Sequence, residues 1–227
     1  QGNQNMQHGG QSFAAFDYDL APYVKMTFDR LKSELPEDMP EEEKEEDAWK
    51  KTEAKVYQAC EAFIHNANSM HSRGGGQVPF VSINYGTDTS KEGRVLIKQL
   101  LLATQAGLGK GETPIFPIQI FKVKEGVTAS PKDPNYDLFQ LAIETTAKRL
   151  FPNFSFLDAP FNKQYDNGTP ESEVAYMGCR TRVMGNIHGD ETNLGRGNLS
   201  FTSINLVQIA LRNQKNLDGF KEEQDNV

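Results

Sequence analysis

Apolar side chains recur at helical spacing through the first third of the chain and then gather into short strand-length blocks. Phe16, Leu20, Tyr23, Val24, Phe28 and Leu31 predict a helix over 12–35. Val56, Cys60, Phe63, Ile64 and Ala67 predict a second over 46–70, on the i, i+4, i+7 rule. Pro36 and Pro40 bracket an acidic loop, 36–47, across which the helices are expected to pair antiparallel. The pattern then changes. Residues 78–85, Val-Pro-Phe-Val-Ser-Ile-Asn-Tyr, read as a buried strand. A helix follows over 90–107, ending at Gly107 and Gly109. Residues 114–123 form the next strand, with Pro114 and Pro117 at its start, where a missing ladder donor is tolerated. A helix over 135–150, a short strand over 154–157, a fourth strand over 199–206 and a helix over 207–213 complete the pattern. Strands alternating with helices predict an α/β fold with parallel strands and crossover helices, as a half-barrel or an open sheet. The domain reading is a helical pair, 1–70, standing outside an α/β region, 71–227.

Composition narrows the function classes. The net charge of −7 resides in residues 37–47, which carry eight acids and one lysine, so the rest of the chain is neutral. An acidic run of this kind is a solvated loop or a helix start. With no basic stripe, a nucleic-acid backbone is not an expected partner. Mean hydropathy is −0.61, and no apolar run reaches the length of a membrane span. The two cysteines, Cys60 and Cys179, form no Cys-x-x-Cys pair, which argues against a cysteine-rich zinc site and a disulfide scaffold and fits a reducing, cytoplasmic setting. The N-terminus is not a signal peptide and lacks an initiator Met, so the chain reads as cut from something longer.

Candidate chemistry is sparse. Cys179 lies between Gly178 and Arg180, with Arg182 two further on, in a Gly-, Asn- and charge-rich stretch over 161–197. Nearby arginines favour thiolate or bind an anionic substrate; on the residues alone it is either a reactive or radical cysteine or a plain loop cysteine. Cys60 falls on an apolar helix stripe and reads as a small buried hydrophobe. Residues 107–113 imitate a phosphate loop, but Thr104 and Gly111 stand where the pattern needs Gly and Ser or Thr, so they read as a helix C-cap and turn. The 73–76 run Arg-Gly-Gly-Gly is a flexible turn or an anion-approaching backbone loop. His8, His65, His71 and His188 show no i, i+4 metal spacing, and no nucleophile elbow is present. No metal is assigned.

Three stretches in order carry a resemblance. They are 71–88, His-Ser-Arg-Gly-Gly-Gly-Gln-Val-Pro-Phe running on through Ser82-Ile83-Asn84-Tyr85-Gly86-Thr87-Asp88; 176–182, Tyr-Met-Gly-Cys-Arg-Thr-Arg; and 195–206, Gly-Arg-Gly-Asn-Leu-Ser-Phe-Thr-Ser-Ile-Asn-Leu. Residues 7–11, Gln-His-Gly-Gly-Gln, add to them. Together they make the chain similar to an internal segment of the anaerobic, class III glycyl-radical ribonucleotide reductases. The resemblance implies a ten-stranded α/β barrel of two five-stranded halves. A finger loop, here 176–182, carries the attacking cysteine, Cys179. It implies that a stored glycyl radical outside this segment converts Cys179 to a thiyl. The thiyl takes hydrogen from ribose C3′, water leaves from C2′, and a reductant, with formate the better guess, supplies electrons. Met177 matches a methionine lining the family's active site, and Asn198 an asparagine contacting substrate or formate, with Asn205 as the alternative position. The helical pair would belong to the dimer-forming helices of an effector site for ATP or deoxynucleotides. Ribonucleoside triphosphates, a radical-SAM activase and a second copy would be the partners.

Departures accompany the match. No Arg-Val-x-Gly-Tyr pattern and no zinc-binding cysteine cluster occur in these residues. The family's second active-site cysteine would fall before residue 1, and Cys60 does not replace it. The 227 residues alone are therefore expected not to turn over. Two other readings stand beside this one. One is a glycyl-radical enzyme of the formate-lyase type, whose finger tip carries two adjacent cysteines where Cys179 stands alone. The other is a nucleotide-effector-binding or dimerisation module built on the helices.

Overall fold

The computed structural model describes residues 3, 9–71, 74–178, 181–186, 188–197 and 203–226. It divides into two compact units, Gln1–Leu194 and Gly195–Val227. The first is an α/β unit. Four strands, β1 (Gln11–Phe13), β2 (Val81–Tyr85), β3 (Ile118–Val123) and β4 (Asn153–Phe156), lie side by side in sequence order, all parallel. Helices α1 (Phe16–Ser33) and α2 (Glu41–Ser69) connect β1 to β2, α3 (Lys91–Ala106) connects β2 to β3, and α4 (Tyr136–Arg149) connects β3 to β4.

The register sorts the side chains of the sheet onto two faces. Ile83 pairs with Gln119 and Tyr85 with Phe121, so these four share one face; Ser82 and Asn84 share the other with Ile118 and Ile120. The first face meets the helices. Ile83, Tyr85, Phe121 and Val123 join Phe16, Val24 and Phe28 of α1, Trp49, Val56, Cys60 and Ile64 of α2, Val95, Ile97 and Leu100 of α3, and Leu138 of α4 in one buried cluster. Phe28 stacks on Trp49 at 4.3 Å between ring centroids. The few polar groups on this face are paired: the Tyr85 hydroxyl donates to Gln119 Oε1 at 2.8 Å, and Gln119 Nε2 donates to Thr104 Oγ1 at 2.9 Å.

Several sequence expectations need correction. The helical pair does not stand outside the sheet, because its apolar stripes bury against β2 and β3 in the same core. Residues 11–13 are strand, not helix: pairing of Gln11 with Val81 and of Phe13 with Ile83 satisfies backbone groups that a helix start would leave open. The acidic run is not all loop. The second helix begins at Glu41, and Glu41, Glu42 and Glu43 occupy its first turn, where negative charge meets the positive end of the helix dipole. Tyr23, placed on the apolar stripe of α1, is 63% exposed. The strand read over 114–123 starts at Ile118. Of the fourth strand read over 199–206, residues 199–202 lie outside the described residues, 203–205 belong to no strand, and Leu206 opens a helix instead.

The second unit holds two short helices, α5 (Leu206–Arg212) and α6 (Leu217–Asp225), linked by an ion pair between Arg212 and Glu223 at 2.9 Å. No helix among the described residues is long and apolar enough to cross a membrane.

Because Ile83 is fully buried between sheet and helices, truncation to Ala is expected to cost about 2–5 kcal/mol of unfolding free energy. Tyr23→Ala should stay within about 0.5 kcal/mol. Urea unfolding of both variants measures the contrast; equal costs would contradict the assigned core.

Candidate functional site

The face of the sheet turned away from the helices carries the polar side chains of alternate strand positions, and against it lies a two-stranded antiparallel hairpin. Its strands are β5 (Ala175–Met177) and β6 (Thr181–Val183), with Met177 opposite Thr181. The hairpin docks through side chains. Asn84 Oδ1 accepts from the Tyr176 N–H at 2.7 Å, while Asn84 Nδ2 donates to the Tyr176 carbonyl and to the Phe13 carbonyl, each at 2.9 Å. One amide thus gives Tyr176 the donor and acceptor that a neighbouring strand would supply. Ser82 Oγ accepts from the Gly178 N–H at 3.0 Å and donates to Ser12 Oγ at 2.9 Å; Ser12 Oγ donates in turn to the Tyr176 carbonyl at 3.3 Å. Each hydroxyl donates once, so the chain of bonds is self-consistent. Gly178 takes a φ of +64°, a left-handed conformation that disfavours any side chain at the point where the chain leaves β5.

Two residues before β5, Glu173 ties the same segment to the C-terminal end of β3. Its Oε2 accepts from Lys122 Nζ at 3.0 Å and from Thr87 Oγ1 at 2.8 Å, and its Oε1 accepts from Lys124 Nζ at 3.2 Å. Lys124 also pairs with Asp166 at 2.8 Å. The Lys122 side chain is fully buried and that of Glu173 is 4% exposed; each charge in such a pair depends on the other, since an unpartnered buried ion costs several kcal/mol. The Glu173 carbonyl accepts from Asn193 Nδ2.

The loop after β2 is fixed beside this pair. Asp17 Oδ2, from the first turn of α1, accepts from the Gly86 and Asp88 N–H groups at 2.8 and 3.1 Å, and Asn135 Nδ2 donates to the carbonyls of the same two residues at 3.0 and 2.9 Å. Asp17 Oδ1 is buried without a hydrogen-bond partner. Burial pushes the Asp17 carboxyl above its ordinary 3.8, against the opposing pull of Lys122 and of the two N–H groups. Gly86 is required here: a Cβ would come within 2.9 Å of the Lys122 carbonyl oxygen.

A scan of protein families matches the anaerobic ribonucleoside-triphosphate reductase model over residues 1–227. The chain belongs to this family. It is similar to the anaerobic ribonucleoside-triphosphate reductases of Enterobacteria phage T4 (38% identical over 213 residues, 90% of this chain and 33% of the relative) and of Salmonella typhimurium LT2 (34% over 208 residues, 90% and 28%). The Escherichia coli K12 enzyme of the same name is 33% identical over 208 residues, again 90% and 28%. The chain therefore spans about a third of the length of the curated relatives it matches.

Of the family's expected site residues, Met177 is described, half-buried at the end of β5. Cys179 and Asn198 lie outside the described residues, as does Arg180. Asn205, the alternative to Asn198, is a helix cap: its Oδ1 accepts from the Gln208 N–H at 3.0 Å. Arg182 lies 5.4 Å from the Phe161 ring centroid, in a cation–π contact. Cys60 is buried on α2, its thiol pushed up to about 12 by burial, which leaves it unreactive. Gly107, with φ +78°, ends α3 as the cap expected for it. Among the described residues no cluster of His, Cys, Asp and Glu could hold a metal ion.

Sequence reasoning missed Ser12, Ser82, Asn84, Lys122 and Glu173. A signal for three of them was present: in Val-Ser-Ile-Asn-Tyr and Ile-Phe-Lys-Val, polar residues at alternate strand positions mark a face that something polar must cover.

The raised carboxyl of Asp17 sets a pH dependence. Above 3.8 the unfolded chain releases this proton while the folded chain holds it, so its contribution to stability is full in acid and is lost as pH rises toward the folded value. Asp17→Asn, which cannot ionise, should therefore gain on wild type in unfolding free energy as pH rises from about 4 to 7. Urea melts across that range measure the difference, and a difference independent of pH would sink the assignment.

Proposed function

We propose that this chain is a catalytic segment of a reductase that converts ribonucleoside triphosphates to deoxyribonucleotides, with Cys179 as the residue that attacks the ribose. The observation carrying the reading is the hairpin β5–β6, which brackets positions 178–180 and is held on the polar face of a parallel sheet. Sequential strand order with every crossover helix packed on one face is the arrangement of a barrel wall, whereas doubly wound sheets carry helices on both faces. The four strands are accordingly read as part of a ten-stranded barrel, with 176–182 as its finger loop. Support for the activity comes from membership of the family, whose relatives bear the reductase name.

In this reading Cys179, as a thiyl, takes the hydrogen from ribose C3′. A glycyl radical elsewhere in the protein supplies the oxidising equivalent. Met177 and Asn198 line the substrate cavity, and a sheet face closed to bulk water protects radical species from side reactions. Formate is the proposed reductant. The helices α1 and α2 are proposed as dimer and effector elements for ATP or deoxynucleotides, with a radical-SAM activase as the activating partner. No zinc is assigned within these residues.

Cys179→Ala in the activated full-length protein should abolish deoxynucleotide formation while nucleotide binding persists, measured by product assay and by calorimetry; retained turnover would remove Cys179 from the mechanism. The 227 residues alone should give no product, and deoxynucleotide from the purified segment would contradict that.

A further inference from the structure

We propose that Ser82 and Asn84 are positioning residues for the attacking cysteine, a role that rests on the reading of Cys179 given above. β5 is not a member of the four-stranded sheet; among the described residues its backbone pairs with β6 alone. Its location on the sheet therefore depends on side chains, and those that reach its backbone from β2 are the amide of Asn84 at Tyr176 and the hydroxyl of Ser82 at Gly178. The second of these grips the peptide N–H of the residue directly before Cys179. Ser82 and Asn84 are 2% and 0% exposed, and every polar atom of both side chains is used in the network with Ser12, Phe13, Tyr176 and Gly178.

A buried network of this kind has one low-energy arrangement, since any shift of the hairpin leaves buried donors and acceptors unpaired. β2 itself is held rigidly by its neighbours β1 and β3 and by the helices behind Ile83 and Tyr85. The sheet thus acts as the reference against which Tyr176 and Gly178 are placed, and Ser82 and Asn84 transmit that reference to the residues that lead into Cys179. A displacement of about 1 Å at a reacting group can cost on the order of 100-fold in rate. Substrate binding would be unaffected, because neither side chain need touch the nucleotide.

The test uses the activated full-length reductase with Ser82→Ala, Ser82→Thr, Asn84→Ala and Cys179→Ala. Ser82→Ala is expected to lower kcat by about 10–100-fold with KM within about twofold of wild type and to speed hydrogen exchange at the Gly178 amide. Ser82→Thr, which keeps the hydroxyl, should restore kcat and amide protection. If Asn84→Ala fails to fold, Ser82→Ala carries the test, because it removes one hydroxyl without leaving a charge unpaired. Unchanged kcat or unchanged Gly178 exchange in Ser82→Ala, with Cys179→Ala inactive, overturns this proposal alone. Turnover retained by Cys179→Ala overturns the reading of Cys179 and, with it, the role of Ser82.

Discussion

Strand β2 has to satisfy two incompatible surroundings at once. Val81, Ile83 and Tyr85 require an apolar layer and obtain it from the helices; Ser82 and Asn84, one residue out of phase, require hydrogen-bond partners where water is excluded. The period of two in a strand makes both demands compatible only if a polar-backboned element lies on the side opposite the helices. The hairpin β5–β6 is that element, and its peptide groups at Tyr176 and Gly178 are what Asn84 and Ser82 bind. The core and the candidate site are thus two faces of one five-residue strand.

The C-terminal end of the sheet follows the same logic with charges. Lys122 is carried into the interior by the register of β3 and meets Glu173 there, on the segment that leads into the hairpin. Thr87 and Lys124 complete the carboxylate's partners, and Asp17 and Asn135 hold the loop that presents Thr87. Ionic and amide contacts therefore clamp the hairpin's approach, while hydroxyl and amide contacts clamp its strand.

Much of the α/β pattern was legible without coordinates. Helices over α1, α2, α3 and α4 follow from the 3.6-residue spacing of Phe16, Val24, Phe28, of Val56, Cys60, Ile64 and their successors, and β2 and β3 from short apolar blocks. Cys60 was readable as a core residue from its place on the stripe alone. What misled was local: three residues of β1 lie next to an amphipathic helix and were absorbed into it, and the acids 41–43 looked like loop although a helix start tolerates them.

By itself, the sequence determined the periodicities, the parallel α/β order, the neutral body with one acidic run, and, through three ordered stretches, the family. Only the tertiary structure decided that the helical pair shares the sheet's core, that Gln11–Phe13 joins the sheet as its edge, and that Ser12, Ser82 and Asn84 converge on Tyr176 and Gly178. The physical reason is separation along the chain. Side-chain period reports which way a residue faces, but the partner of Asn84 lies 92 residues away, and no local preference names it; strand register and the docking of the hairpin together fix that choice.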